Sequence, residues 1–265
     1  MSLVLHTASI TDKGLNPHKT VNEDSLLILE KERIFVVADG VGGAYAGDVA
    51  SQTVTRTIEQ KAANQPVPDK IKSVQEFIQA ANSEVYQISR KEAKQMGSTI
   101  ALMAVEDDAA IIAHVGDSRI YVVRDDTIIQ LTKDDSKIQK YRDKFANDPD
   151  IVVENIVESN IITNALGIAA TVDFDVQKVM LKDNDIFILC TDGVHNYHSD
   201  AEFLSNLTKN QNDLPKACEV IKQTCYEKGA KDHLTAILVK INKCNPDLEE
   251  TQRLDKSLLA MVRND

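Results

Sequence analysis

The order of β-rich and helical patterns constrains the fold of this chain more than any other feature. Three short β-rich runs come first, at 3–10, 24–30 and 33–39. Two helical patterns follow, one from Gly43 to about Ala63 and one that begins after the predicted cap Asp69. Their apolar residues recur every three or four positions, so each helix is expected to present one apolar face to a sheet.

The rest of the chain returns to strands followed by a pair of helices. Four short β-rich runs lie between 98 and 132 and predict an antiparallel meander, and a polar, helix-leaning insert follows at 133–160. Further strands are predicted at 174–181, 185–191 and 233–241, and further helices at 199–208 and 213–228. Antiparallel sheets covered by helix pairs indicate an α+β layered sandwich.

The composition is typical of an acidic globular protein. The chain has 265 residues, a hydrophobic content of 43% and a formal net charge of −11. This charge does not attract nucleic acid or an anionic membrane, so we expect neither as a partner. No apolar run approaches the roughly 20 residues that span a bilayer. The N-terminal residues lack the pattern of a signal peptide, so none is expected.

We expect one domain over residues 1–243 and a C-terminal tail over 244–265. The tail carries a possible helical stripe, formed by Leu248, Leu254, Leu258 and Met261. Such a stripe either packs on the domain or docks into a groove of a partner.

The cysteines indicate reduced thiols in a cytoplasmic protein. They are Cys190, Cys218, Cys225 and Cys244. None forms a Cys-x-x-Cys pair, which argues against a zinc site or a disulfide framework. Cys190 lies inside a strand pattern, where a core role is more plausible than a catalytic one.

Aspartates stand at the tips of several predicted strands. Three runs end at Asp39, Asp117 and Asp192, and Asp232 precedes the last strand. A single aspartate of this kind is a common turn residue. If the four tips converge, however, their carboxylates repel one another unless cations neutralise them. Oxygen-only ligands favour Mg²⁺ or Mn²⁺ over zinc, and Gly40 lets the backbone approach an ion.

A further acidic pair, Glu23 and Asp24, begins the strand that precedes Asp39. A hairpin would bring this pair either beside Asp39 or to the opposite end of the strands. The sequence alone leaves these two alternatives open.

Eight short motifs, in this order, resemble those of the metal-dependent serine/threonine protein phosphatases of type 2C, the PPM family. They are "VNEDS" (21–25), "ADGVGGAYAGDVAS" (38–51), "GSTIAL" (97–102), "HVGDSRIYVV" (114–123), "LTKDDS" (131–136), "ITNALG" (162–167), "CTDGV" (190–194) and "KDHLT" (231–235). The resemblance extends from about residue 6 to residue 241 and points to the bacterial type. Each motif is weak alone, but their shared order is specific.

The resemblance implies the family's fold and active site. The fold would be a four-layer αββα sandwich with two central antiparallel sheets, flanking helix pairs and a flap at about 133–160. Two bridged Mn²⁺ or Mg²⁺ ions would be held by Asp39, the carbonyl of Gly40, Asp192 and Asp232. Metal-bound waters would be held by Glu23 and Asp24. A third, weaker ion would be held by Asp117 together with Asp192.

The activity that the resemblance implies is hydrolysis of phosphoserine and phosphothreonine in proteins. A hydroxide bridging the two ions would attack phosphorus in line, with Asp39, Asp192 and Asp232 as the catalytic aspartates. The partners would be phosphoprotein substrates, with serine/threonine kinases as opponents, and nothing demands more than a monomer. Two alternatives remain open: a pseudophosphatase that binds without turnover, and a phosphatase for small phosphoesters or phosphotyrosine.

The chain departs from the family pattern near the expected substrate. Lys19 occupies the position of the family's phosphate-binding Arg, and a lysine cannot form the bidentate fork of an arginine. We expect Lys19 to bind the substrate phosphate more loosely, with a solvated loop lysine as the alternative. Val41 stands where eukaryotic relatives often carry a histidine that is proposed as the general acid.

Three other family positions are altered, and three further histidines flank the motifs. His233 replaces an Asn and is expected to support a metal ligand rather than to be one. Asn164 and Asp135 replace an Arg and a His beside the flap. His114 is expected to be a strand residue, and His195 and His198 are expected to be loop residues. None of the three is expected to be a metal ligand.

Overall fold

The structure is a computed structural model that describes residues 2–42, 46–64, 69–146, 148, 153 and 161–244. Three expectations fall outside these residues. They are the helix start at Gly43, most of the flap between 147 and 160, and the helical stripe of the tail. The described residues form eleven strands and six helices.

The strands match the predicted β-rich runs to within a few residues. They are β1 (Ser2–Asp12), β2 (Asp24–Leu29), β3 (Ile34–Val41), β4 (Gly97–Ser98), β5 (Ile100–Val105), β6 (Ala109–Val115), β7 (Arg119–Arg124), β8 (Thr127–Gln130), β9 (Val176–Met180), β10 (Ile186–Cys190) and β11 (Leu234–Cys244). The first and last strands are longer than expected because they pair along their whole length, from Ser2 opposite Cys244 to Asp12 opposite Leu234.

Six helices are described, and four of them begin at a side chain that caps a free N–H group. The six helices are α1 (Gly47–Asn64), α2 (Lys70–Glu92), α3 (Lys137–Lys144), α4 (Asp192–His195), α5 (Asp200–Lys209) and α6 (Leu214–Glu227). The four capped helices are α2, α3, α5 and α6. Asp69 caps α2 as predicted, since its carboxylate accepts a hydrogen bond from the Lys72 N–H at 3.1 Å. Ser199 and Glu202 form a reciprocal capping box at the start of α5.

The strands form two antiparallel sheets. The first sheet has the order β1-β11-β10-β7-β8, and the second has the order β2-β3-β5-β6-β9 with β4 added beside β3. The first and last strands of the chain therefore lie together at one edge of the first sheet. This order brings the loops after β3 and β10 to the part of the fold where β2 and β11 begin.

The prediction of one four-stranded meander between 98 and 132 is wrong. β5 and β6 pair in the second sheet, whereas β7 and β8 pair in the first. The chain changes sheets at Gly116, whose φ of 95° suits glycine and is rarely adopted by other residues. Periodicity identifies strands but not their partners, so the sequence did not reveal this crossing.

Three apolar clusters fill the spaces between four layers. The pair α1 and α2 covers the second sheet through residues such as Val54, Ile78 and Val85. The pair α5 and α6 covers the first sheet through residues such as Phe203 and Ile221. A third cluster lies between the two sheets. The αββα sandwich is confirmed. A membrane-spanning helix is not found in the part of the chain that the structure describes.

Candidate active site

The β2–β3 hairpin places the acidic pair beside the first strand-tip aspartate. Asp24 lies directly opposite Asp39 in the antiparallel register. The N–H of Gly40 donates to the carbonyl of Glu23 at 3.1 Å. Of the two positions that the sequence left open, the hairpin therefore selects the one beside Asp39.

Hydrogen bonds from β4 and the residue after it fix the backbone of Asp39. The N–H of Asp39 donates to Thr99 Oγ1 at 2.9 Å, and the N–H of Thr99 donates to the carbonyl of Asp39 at 2.8 Å. The hydroxyl of Ser98 donates to the same carbonyl at 3.1 Å. The Asp39 backbone is therefore held by partners from β4 and the adjoining residue.

Gly40 allows α1 to approach β3 closely. A Cβ atom at Gly40 would lie only 1.9 Å from the carbonyl oxygen of Gly47, the first residue of α1. A Cβ atom at Gly47 would in turn lie 2.7 Å from Glu23 Oε1. The two glycines thus bring the helix start, Glu23 and the Gly40 carbonyl into one compact region.

A hydrogen bond between the sheets joins the second acidic strand tip to the first. Thr191, which precedes Asp192, donates from its hydroxyl to Asp24 Oδ2 at 2.8 Å. The N–H of Thr235 donates to the same hydroxyl at 3.2 Å. The carboxyl groups of Asp39 and Asp192 also interact electrostatically, since the charge of Asp192 raises the pKa of Asp39. We call this region the aspartate edge; it comprises Asp24, Asp39, Asp117, Asp192 and Asp232.

Asp117 reaches the aspartate edge from the crossing between the sheets. It is buried, and its carboxylate interacts electrostatically with Asp192. The carbonyl of Asp117 is bound to His195 Nε2 at 2.9 Å. The structure corrects the expectation that His195 is a loop residue: it is buried in the short helix α4, where this contact fixes it.

The other two histidines near the motifs contact backbone carbonyls. His114 lies in β6, and its Nε2 is 2.7 Å from the carbonyl of Lys133. His198 Nδ1 is 3.0 Å from the carbonyl of Val194. These contacts give both rings a structural partner away from the aspartates.

Burial and crowding raise the pKa values of the clustered carboxyl groups. Burial is the largest cause in each case, and it raises the pKa of Asp24 to about 7 and that of Asp117 to about 7. The pKa of Asp192 rises to about 6, with neighbouring Asp232 as the next cause. The pKa of Asp39 also lies well above its ordinary value. Each carboxylate is thus destabilised in its charged form by its own surroundings.

The donor set fits divalent cations. Three aspartate oxygens are buried without a hydrogen-bond partner among the described residues: Asp24 Oδ1, Asp117 Oδ1 and Asp192 Oδ1. Such oxygens are costly unless a cation or water binds them. No three His, Cys, Asp or Glu side chains within the described ranges converge on one ion position. Ions here would therefore also need the Gly40 carbonyl and water, which suits Mg²⁺ and Mn²⁺.

Lys19 lies at the aspartate edge, in an ion pair with Asp232. Burial would lower the pKa of Lys19, but the hydrogen bond and the charge of Asp232, with Glu23 and Asp39 nearby, raise it overall. For Asp232, burial would raise the pKa, but the contact with Lys19 lowers it below its ordinary value. The ammonium group is therefore positioned among the acidic groups rather than free in solvent.

His233 supports Glu23 through its ring. The N–H of Glu23 donates to His233 Nδ1 at 3.3 Å, and the same nitrogen lies 3.9 Å from Glu23 Oε2 and from Asp232 Oδ1. Burial lowers the pKa of His233, which favours the neutral ring. A neutral ring that accepts at Nδ1 carries its proton on Nε2. His233 therefore accepts a hydrogen bond from the Glu23 backbone through Nδ1.

The two altered residues beside the insert contact each other. Asn164 Nδ2 donates to Asp135 Oδ2 at 3.1 Å, and the N–H of Gly116 donates to the same carboxylate oxygen, also at 3.1 Å. The N–H of Thr163 donates to the carbonyl of Asp135 at 2.7 Å. Asp135 and Asn164 therefore join the two ends of the insert to the strand crossing next to Asp117. Val41 is partly exposed at the end of β3.

Sequence reasoning missed the polar residues that hold the aspartates in place. Thr191, Thr99 and His195 bind acidic residues or their backbone from positions remote in sequence, the last across 78 residues. Thr191 and Thr99 lie within recognised motifs, and each directly follows a strand. His195 lies in α4. Their neighbours in space, however, depend on the pairing of the sheets.

We expect the stability of the metal-free protein to fall as the pH rises from about 5 to about 8. In the native state, Asp24, Asp117 and Asp192 have pKa values of about 6 to 7, whereas the ordinary pKa of an aspartate is 3.8. The native state therefore binds more protons than the unfolded state in this window, so deprotonation favours unfolding. Thermal melting in EDTA should show a lower Tm at the higher pH, and added Mn²⁺ should remove most of the difference.

The variant Asp117→Asn should flatten this pH dependence because it removes one of the raised groups. Asp126→Asn is the matched control, since Asp126 lies in an exposed turn and the charge change is the same. A Tm in EDTA that rises between pH 5 and pH 8 would contradict the prediction, as would equal slopes for the two variants.

Comparison with protein families and curated sequences supports the assignment that the motifs indicate. A family model described as "Protein phosphatase 2C" matches residues 17–239. The serine/threonine phosphatase stp of Listeria innocua is 31% identical over 248 residues, which cover 90% of this chain and 96% of that protein. The protein phosphatase PhpP of Streptococcus pneumoniae is 30% identical over 217 residues, covering 79% of this chain and 86% of that protein.

Solved structures give the same result at the level of the fold. The catalytic domain of the serine/threonine protein phosphatase PstP, in complex with two manganese ions, superposes with a TM-score of 0.80 at 27% identity. That match covers 91% of this chain and 100% of the solved catalytic domain. Stp1 from Staphylococcus aureus superposes with a TM-score of 0.79 at 26% identity, covering 91% of this chain and 96% of Stp1.

Proposed function

Since the chain belongs to the protein phosphatase 2C family and is a serine/threonine protein phosphatase, we propose that its aspartate edge is the active site. The supporting observation is the set of buried, unpartnered carboxylate oxygens on Asp24, Asp117 and Asp192 beside Asp39. Dependence on a divalent metal follows from the family and from the manganese-bound relative. We propose that two Mn²⁺ or Mg²⁺ ions bind at the aspartate edge, together with a third, weaker ion.

The residues that would hold two ions are Asp39, the carbonyl of Gly40, Asp192 and Asp232. When bound, such ions supply an activated water for in-line attack and offset the charge of the phosphoryl oxygens. The chain's own contribution is to fix these ligands. Thr99 anchors Asp39, and Thr191 orients Asp24. Glu23 and Asp24 would bind the ions through water, and Asp117 with Asp192 would hold a third ion.

We propose that Lys19 binds the phosphate of the substrate, because its ammonium group is already directed to Asp232 at the aspartate edge. Lys19→Ala is expected to raise the KM for a phosphothreonine peptide by about tenfold, the loss typical of one charge-assisted hydrogen bond. Its kcat should change less. Steady-state kinetics at saturating Mn²⁺ measure both constants.

Lys13→Ala is the control for this prediction, since Lys13 is exposed in the same loop. Lys19→Arg should restore most of the affinity because it retains the positive charge. An unchanged KM in Lys19→Ala would show that Lys19 does not bind the phosphate and pairs only with Asp232.

The substrates are phosphoproteins, and we propose that serine/threonine kinases act on the same targets. The described cysteines Cys190, Cys218 and Cys225 are free and buried, which supports a reducing compartment and hence the cytoplasm. Burial raises the pKa of the Cys190 thiol, which supports a core role over a catalytic one. We further propose that residues 1–243 act as one domain and as a monomer.

The proposed substrate class can be tested with matched peptides that carry phosphoserine, phosphothreonine or phosphotyrosine in one sequence. Phosphate release should be fastest from the first two, and p-nitrophenyl phosphate should serve as a substrate without peptide contacts. Faster hydrolysis of the phosphotyrosine peptide would overturn the assignment of phosphoserine and phosphothreonine. Parallel assays with Mn²⁺ and Mg²⁺ identify the ion that supports the higher rate.

A further inference from the structure

A groove with a volume of about 640 Å³ lies between the end of α2 and the segment that follows the insert. We call it the α2 groove. Its lining includes Tyr86, Arg90, Lys94, Met96, Ile168 and Ala170. None of its described lining residues is acidic, although the chain as a whole carries a net charge of −11.

One wall of the α2 groove continues directly into the aspartate edge. Met96 and Gln95 pack against Gly42, where a Cβ atom would lie 3.2 Å from Met96 Cα and 3.1 Å from the Gln95 carbonyl oxygen. The next residues form β4, in which Ser98 pairs with Gly40 and donates to the carbonyl of Asp39. Two residues of chain, roughly 7 Å when extended, thus lead from Met96 in the groove to Ser98, which contacts Asp39.

The positive charge in the groove is available to a ligand. Arg90 is exposed in the last turn of α2 and forms no ion pair with any described residue. Lys94 lies 3.5 Å from Glu92, but both side chains are about half exposed, so the pair is weak. An acidic ligand could therefore form an ion pair with Arg90 and a second one with Lys94, in competition with Glu92.

Both walls of the groove are held by hydrogen bonds to α2. The Ser89 hydroxyl donates to the Lys94 carbonyl at 2.7 Å, which fixes the turn that ends the helix. On the other wall, buried Asn82 donates to the carbonyls of Ala169 and Ala170 and accepts from the Gly167 N–H. A groove fixed in this way binds without first losing its own conformational freedom.

An apolar side chain lies between the charged wall and the aspartate edge. Ile168 is 51% exposed, and its Cγ2 atom lies 3.0 Å from the position of a Cβ atom at Gly97 in β4. The groove thus combines an exposed apolar contact, on the side that adjoins β4, with the positive charges of Arg90 and Lys94.

We propose that the α2 groove binds the segment that flanks the phosphorylated residue of a protein substrate, and that it selects segments with acidic side chains. The inference rests on the proposed location of the active site. It adds a specificity surface outside the metal ligands, with Arg90 as its main determinant. Charge complementarity and continuity with the aspartate edge both favour an acidic substrate segment.

The test compares phosphothreonine peptides whose flanking positions, on both sides, carry Glu, Gln or Lys. The full chain should give the highest kcat/KM with Glu and the lowest with Lys, and the difference should shrink at high salt. Arg90→Glu should lower kcat/KM for the acidic peptide by about fivefold, as expected for an exposed charge pair. Hydrolysis of p-nitrophenyl phosphate should stay unchanged, because this substrate does not reach the groove.

Arg56→Glu is the matched control, since Arg56 is exposed on α1 and lines a different groove. Equal losses in the two variants, or no preference among the three peptides, would overturn the groove assignment while p-nitrophenyl phosphate is still hydrolysed. Absence of turnover with every substrate would instead contradict the proposed active site, and the groove assignment with it.

Discussion

Replacing Asp192 with asparagine is expected to lower the Mn²⁺-dependent kcat for a phosphothreonine peptide by about a thousandfold or more, as for loss of a central electrostatic group. The charge of Asp192 acts on Asp24, Asp39 and Asp117. It is thus the carboxylate shared by the proposed pair of ions and by the proposed third ion. Its loss should impair every part of the site together.

The same substitution should leave the fold intact, and this separates a functional loss from a structural one. Asparagine has nearly the same shape, and removal of one crowded charge should keep or raise the Tm in EDTA at about pH 8. Asp200→Asn is the control, since Asp200 is exposed in the first turn of α5. A variant that retains its fold and more than about a tenth of the wild-type kcat would contradict the role of Asp192.

Replacing Gly40 with alanine is expected to damage both stability and activity. The added Cβ would lie 1.9 Å from the carbonyl oxygen of Gly47 and 2.3 Å from its carbonyl carbon. Since both are backbone atoms, β3 and the start of α1 must separate. Overpacking typically costs about 1–3 kcal/mol, and a cost at the upper end corresponds to a Tm lower by roughly 6–12 °C for a domain of this size.

The displacement should also move the Gly40 carbonyl and Asp39, so we expect a loss of about a hundredfold in kcat. Gly229→Ala is the comparison, because no atom lies within 4 Å of its added Cβ, although its φ of 74° is strained for alanine. That variant should lose roughly 1 kcal/mol of stability and no activity. Similar activities for Gly40→Ala and wild type would show that the close contact with Gly47 is not needed for the site.

The strand-tip aspartates could be predicted because their signal is local. An apolar run that ends in Asp, followed by Gly at two of the tips, is visible at Asp39 and Asp192 without knowledge of the sheets. The two helix pairs were predicted for the same reason, since a helical stripe is read from residues within one segment. The layered α+β architecture then followed from the order of these segments.

The contacts among distant segments could not be predicted, because they depend on strand partners and register. The position of Glu23 and Asp24 beside Asp39 depends on the β2–β3 register, which places Asp24 opposite Asp39. The sheet crossing at Gly116 likewise became visible only through the pairing of β6 with β5 and of β7 with β8 and β10. Any shift by one residue would turn these side chains to the other face of the sheet.

The altered residues show a second limit of sequence reasoning. Asn164 and Asp135 were each identified as a departure from the family pattern, but the hydrogen bond between them was not. Lys19 was expected at a substrate phosphate, and its ion pair with Asp232 was not foreseen. A motif position predicts a residue's location more reliably than its partner, because the partner is often altered as well.

We propose that this chain hydrolyses phosphoserine and phosphothreonine by means of divalent ions bound at the aspartate edge. The most direct measurement is the initial rate of phosphate release from a phosphothreonine peptide as free Mn²⁺ is varied from an EDTA-buffered zero to saturation. We expect no turnover in EDTA and a rate that rises with Mn²⁺ to a plateau. A folded protein that releases phosphate equally well in EDTA, or none at any Mn²⁺ concentration, would contradict it.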